Sequence, residues 1–105
     1  MPSPNFELYA KHNPEHSEAY RALARESLKA GTLDAVTKEL IYLVLLGSEG
    51  YLPGMRVHID NLLTKGVAAD AIREAIRIVL PALGSARFLG LYAEVEAAIQ
   101  ARSKG

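Results

Sequence analysis

The sequence predicts an all-α protein, a bundle of about six helices with a central helical hairpin, in one domain spanning residues 1–105. Three observations predict it. Apolar residues recur at helical spacing through most of the chain. No segment alternates convincingly with period two, and no Asn-Gly or Asp-Gly turn is present to close a β-hairpin. The five prolines and eight glycines punctuate the periodic segments, where helices start and stop.

A short helix is expected around Phe6 to Lys11. Asn13-Pro14 then offers a cap followed by proline at the first helical position. From there Ala19, Leu23 and Ser27 or Leu28 mark one face, and Gly31 supplies the stop. Asp34 is placed to cap the next helix, whose stripe is Val36, Leu40, Leu43 and Leu46. Ile41, Val44 and Leu45 are apolar too, so this helix is apolar nearly all round and is expected to touch a neighbouring chain. Gly47-Ser48-Glu49-Gly50 breaks the pattern, and Pro53 suits the first turn of a helix running to Lys65, with Met55, Ile59, Leu62 and Leu63 inward. Gly66 ends it. A helix from about Ala69 carries Ile72, Ile76, Val79 and Leu80 until Pro81 kinks or stops it. The last helix, roughly Ala86 to Ala101, presents Phe88 or Leu89, Tyr92, Val95 and Ile99, and Ser103-Lys104-Gly105 reads as a frayed tail.

Composition narrows the function. Half of the residues are hydrophobic and 23% are charged, as in ordinary globular chains. Twelve basic residues balance twelve acidic ones, which removes the electrostatic reason to expect nucleic acid or an anionic membrane as partner. Neutrality also favours self-association. With no cysteine, the chain alone builds no disulfide, thiolate nucleophile or Cys-ligated metal centre. The first residues lack the basic and apolar regions of a signal peptide, and the longest apolar run, Leu40 to Leu46, is far too short for a membrane span. A soluble cytoplasmic protein is expected.

Two residues stand out chemically. Glu39 lies one turn inside the very apolar helix, and His58 lies on the next one, flanked at helical spacing by Gly54, Met55 and Leu62. A short loop joins the two helices, so they pack antiparallel. Glu39 precedes Gly47 by eight residues and His58 follows Gly50 by eight. Each arm is then about 12 Å long at the helical rise, which puts both side chains at similar depth. A carboxylate beside an imidazole fixes its tautomer and makes a proton shuttle near neutral pH. The competing reading is a core histidine whose nitrogen is simply satisfied by Glu39 or a carbonyl.

The run Leu33-Asp34-Ala35-Val36-Thr37-Lys38-Glu39-Leu40-Ile41, a glycine-containing break, His58, Gly66-Val67 and Ile72-Arg73-Glu74-Ala75-Ile76 together resemble the carboxymuconolactone decarboxylase and alkyl-hydroperoxidase D-like superfamily. The resemblance covers roughly Pro14 to Ala86. It implies a small all-helical protein assembled as a homotrimer or homohexamer, with sites near subunit contacts. In the peroxidase branch a Cys-x-x-Cys pair lies between the glutamate and the histidine; here its positions hold Tyr51 and Gly54. Peroxide reduction there needs a thiolate and a resolving thiol, which excludes the dithiol peroxidase reading. The resemblance implies instead the cysteine-less decarboxylase branch. The expected activity is a cofactor-free lyase acting on a small unsaturated lactone or carboxylic acid, with Glu39 and His58 as catalytic acid and base. A noncatalytic oligomeric small-ligand-binding module, and an isomerase or hydratase using the same pair, are the alternatives.

Tyr51, Gly54, Arg56 and Arg87 are the candidate substrate-binding residues. Tyr51 either donates a hydrogen bond to substrate or packs over the helix start. Gly54 either lets a ligand approach the backbone or eases helix packing. Arg56 and Arg87 suit a carboxylate, which a guanidinium holds bidentately, or are solvated surface arginines. Leu52 is a poor cap, so the amides of Gly54, Met55 and Arg56 either face an anion or are capped by Ser48 or Glu49. His12 and His16 have a metal-compatible spacing that Asn13-Pro14 spoils, and no metal is expected. Arg73, Glu74 and Arg77 read as a solvated face with one ion pair.

Overall fold

The computed structural model describes residues 3–104, with side chains through residue 102. Seven helical segments occur among them, and no strand: α1 (Pro4–His12), α2 (Pro14–Leu28), α3 (Ala35–Ser48), α4 (Leu52–Thr64), α5 (Ala69–Arg77), α6 (Val79–Leu83) and α7 (Ser85–Lys104). Only Ile78 separates α5 from α6, so the two form one bent rod and the bundle has six. None of these helices is long and apolar enough to cross a membrane.

Each start and stop has a local cause. Ser3 caps α1, its Oγ accepting from the Phe6 amide at 3.2 Å. Asp34 caps α3 as expected, accepting from the Thr37 amide at 2.7 Å. Asn13 does not cap α2 with its side chain; its Nδ2 reaches back to the Tyr9 carbonyl at 3.1 Å and closes α1 instead. Both ends of the central hairpin turn on glycines that adopt positive φ, Gly50 at 83° after α3 and Gly66 at 88° after α4. The Tyr51 and Val67 amides then bond back to Leu46 and Leu62 at 2.9 and 3.0 Å, the paired-bond stop that a left-handed residue makes possible. Proline acts one turn earlier than expected. The α5–α6 break falls at Ile78, because the Pro81 ring excludes the carbonyl four residues back and its missing amide is tolerated only in the first turn of α6.

The core is a contiguous cluster of Leu43, Met55, Ile59, Leu62, Ile72, Ile76, Val79, Leu91, Val95 and Ile99, drawn from α3 through α7. The α7 stripe passes through Leu91 rather than Tyr92, and Leu89 points outward. α7 also continues to Lys104, through two of the three residues expected to fray, while Gly105 lies outside the described residues. Gly47 marks a tight contact in the core. A Cβ there would come within 2.6 Å of Leu91 and 2.7 Å of the Met55 sulfur.

The second helix breaks the expected pattern. Leu23, placed inward by periodicity, is 64% exposed, whereas Ser17 is buried and Ala24 and Leu28 are half-buried. α2 turns Arg21, Ala24 and Leu28 toward a cavity that it bridges instead of lying on the apolar core. Packing there does not select for an apolar stripe, so periodicity points to the wrong face.

Candidate active site

α3 and α4 bring Glu39 and His58 together. His58 Nδ1 lies 2.8 Å from Glu39 Oε2, and the Glu39 and His58 side chains are 9% and 19% exposed. The other carboxylate oxygen, Oε1, accepts from Lys65 Nζ at 2.8 Å. Lys65 is the residue at which α4 stops, so the same glycine turn that ends the helix swings its ammonium over the carboxylate. Burial pushes the Glu39 carboxyl up, but its hydrogen bonds to Lys65 and His58 outweigh burial and hold it below the usual range. An ionised carboxylate only accepts, so Nδ1 carries the hydrogen and Nε2 is the basic atom of a neutral His58.

His58 forms part of the wall of an open cavity of about 580 Å³ bordered by α1, α2, α3 and α4. Glu39 does not line the cavity and meets the imidazole at Nδ1. Leu46, Val57 and Ala24 make the lining largely apolar, with the rings of Phe6, Tyr20, Tyr42 and Tyr51 around it. The Tyr42 ring meets the imidazole edge to face, 4.8 Å between centroids and 89° between planes. Its hydroxyl lies 3.3 Å from that of Tyr20. Hydrogen bonding to Tyr20 and burial push the Tyr42 hydroxyl up to about 12.

The remaining sequence candidates divide. Tyr51 and Gly54 line the cavity with His58. Tyr51 hydrogen-bonds through its hydroxyl to Ser3 Oγ at 2.7 Å, and its ring lies where a side chain on Gly54 would be. Gly54 is therefore required by a packed ring, whatever else the cavity admits. Arg56 and Arg87 do not reach the cavity. Arg56 pairs with Glu94 of α7 at 2.5 Å, because its place on α4 faces that helix, and Arg87 donates to the Ser48 carbonyl at the end of α3. Guanidinium groups reach the cavity from α2 instead, on Arg21, whose charge lies 4.9 Å over the Phe6 ring, and on Arg25, paired with Glu18 at 3.0 Å. No side chain caps α4, from Ser48 or Glu49 or elsewhere, and the Met55 amide is taken by the Tyr51 carbonyl at 3.2 Å. His16 bonds to the Tyr9 hydroxyl, and the described residues contain no cluster of three metal-ligating side chains.

Residues 14–97 match the carboxymuconolactone decarboxylase family. The chain belongs to that family. No curated protein and no solved structure matches it. The carboxymuconolactone decarboxylase match takes in Glu39, His58 and Lys65, and every cavity residue except Ser3 and Phe6, which α1 adds from outside it.

Proposed function

We propose that this member of the carboxymuconolactone decarboxylase family is a cofactor-free lyase that releases CO2 from a small unsaturated lactone or carboxylic acid. The observation that carries the reading is the 2.8 Å bond from an ionised, buried Glu39 to a histidine whose free edge belongs to an apolar cavity. Loss of CO2 leaves an electron pair that a conjugated carbonyl accepts as a dienolate, and a proton must then reach carbon. Protonated His58 donates it from Nε2, becomes neutral, and takes a proton back from water before the next turnover. Glu39 holds the ring by Nδ1 throughout, so Nε2 faces the guest in both states. Arg21 and Arg25 are the cations nearest to hand for a substrate carboxylate.

A thermal-shift screen of small unsaturated acids and lactones finds ligands, since a molecule bound only by the folded chain raises its melting temperature. CO2 release from each hit by the wild type and by His58→Gln then tests the chemistry. Loss of about a hundredfold or more in kcat with folding intact is expected. Hits that bind without turnover mark a binding module, and turnover without CO2 marks an isomerase or hydratase; either result ends the lyase reading.

A further inference from the structure

The Tyr20–Tyr42 hydroxyl pair is not needed by any helix cap or by the Glu39–His58 bond, yet both rings face the cavity. We propose that these two hydroxyls form an oxyanion subsite, which takes the enolate or phenolate oxygen of a planar conjugated ligand. The proposal deepens the lyase reading and rests on the same cavity. Two hydroxyls 3.3 Å apart share one hydrogen between them and keep the second to offer outward. The donor pair comes from two different helices, Tyr20 on α2 and Tyr42 on α3, so it forms only when α2 bridges the cavity in the way described. The Tyr42 ring also contacts the imidazole edge to face at 4.8 Å, placing the oxygen-binding wall beside the proton-carrying one.

That neighbourhood suits a dienolate, whose charge sits on oxygen while the carbon awaiting a proton lies further along the same plane. A hydroxyl retained to about 12 stays a donor throughout the physiological range. The hydroxyl pair lies at the open side of the cavity, with Tyr20 45% exposed, so an oxygen of the ligand can reach it directly. Phe6, Tyr51 and Leu46 offer flat apolar surfaces for the conjugated body of the ligand.

Binding of 4-nitrophenolate to the full chain tests the subsite without reference to turnover, with nitrobenzene as a probe of similar shape that carries no oxyanion. The wild type is expected to bind 4-nitrophenolate more tightly than nitrobenzene. Tyr42→Phe and Tyr20→Phe are each expected to weaken the phenolate by about tenfold or more, as for a hydrogen bond to a charged group, because either change breaks the hydroxyl pair. Nitrobenzene binding unchanged in both variants shows that fold and cavity persist; if one variant fails to fold, the other carries the test. Phenolate binding equal in wild type and both variants, or no phenolate preference in the wild type, overturns the proposal. The lyase reading fails separately, through the His58→Gln measurement of CO2 release.

Discussion

Lys65 Nζ lies 2.8 Å from Glu39 Oε1, the carboxylate oxygen that His58 leaves free. Each oxygen thus has its own cationic or N–H donor, and the carboxylate is pinned from both sides. Lys65→Met removes the ammonium that helps keep Glu39 ionised, so the Glu39 carboxyl is expected to titrate at higher pH, as read by carbon NMR of its side chain. Glu39 in the wild type lies below its ordinary value. Its contribution to stability is therefore complete above the unfolded carboxyl range and disappears as pH falls through the folded value. In Lys65→Met that contribution is expected to be smaller and its acid-side loss to be complete at higher pH. A Glu39 titration unchanged by the substitution would show that His58 alone holds the carboxylate.

Gly54→Ala tests the packing of Tyr51. The new Cβ would sit 2.6 Å from two atoms of the Tyr51 ring and 3.2 Å from Leu46 Cδ1. Overpacking of this kind costs about 1–3 kcal/mol, against a gain of up to about 1 kcal/mol from replacing glycine in a helix. A net loss of about 1 kcal/mol or more in denaturant unfolding is expected. Equal or greater stability would mean that the ring swings aside freely and that the glycine answers to something else.

Arg73 grips Glu96 with two nitrogens, Nε to Oε1 at 2.6 Å and Nη2 to Oε2 at 3.1 Å, and holds Asp70 with the third at 2.8 Å. This fork ties α5 to α7 where Arg73 was expected on a solvated face; the expected i+3 pair forms beside it, Arg77 with Glu74 at 3.8 Å. Hydrogen bonding to Arg73 keeps the Glu96 carboxyl below its usual range. Lysine carries the charge without the fork. Melting temperatures are therefore expected to fall in the order wild type, Arg73→Lys, Arg73→Met. Arg73→Lys melting with the wild type would show that charge alone suffices.

Ile41 and Leu45, one turn apart on α3, are 47% and 59% exposed although they sit on the most apolar helix of the chain. Coverage of this stripe by a second copy is the expected arrangement, as a trimer or hexamer. Light scattering at micromolar concentration is expected to give a mass above that of one chain for the wild type and a single chain for the Ile41→Glu, Leu45→Glu double variant. A monomeric wild type would contradict it.

The meeting of Glu39 and His58 was legible because it follows from counting. Helical rise is fixed, the Gly47–Gly50 turn is short, and equal arms bring residues to equal depth. Asp34 as a cap was legible for the same local reason. Lys65 was not, since its role depends on how the turn at Gly66 aims a side chain across to another helix. Arg73 and Glu96 lie 23 residues apart on helices whose mutual rotation no local pattern fixes. Tyr20, Arg21 and Arg25 were missed because periodicity records apolar contact, and α2 faces a hollow. Arg56 and Arg87 have the chemistry to bind a carboxylate, but the rotation of α4 and α7 turns them to Glu94 and to the Ser48 carbonyl.

Ser3 and Phe6 precede residue 14, where the family's shared stretch opens, yet both close one side of the hollow. Under the proposed function, admission of a substrate would depend partly on a short helix that the matched stretch does not contain. Grafting Ser3–His12 ahead of a relative's first shared helix would then carry that side of the wall with it.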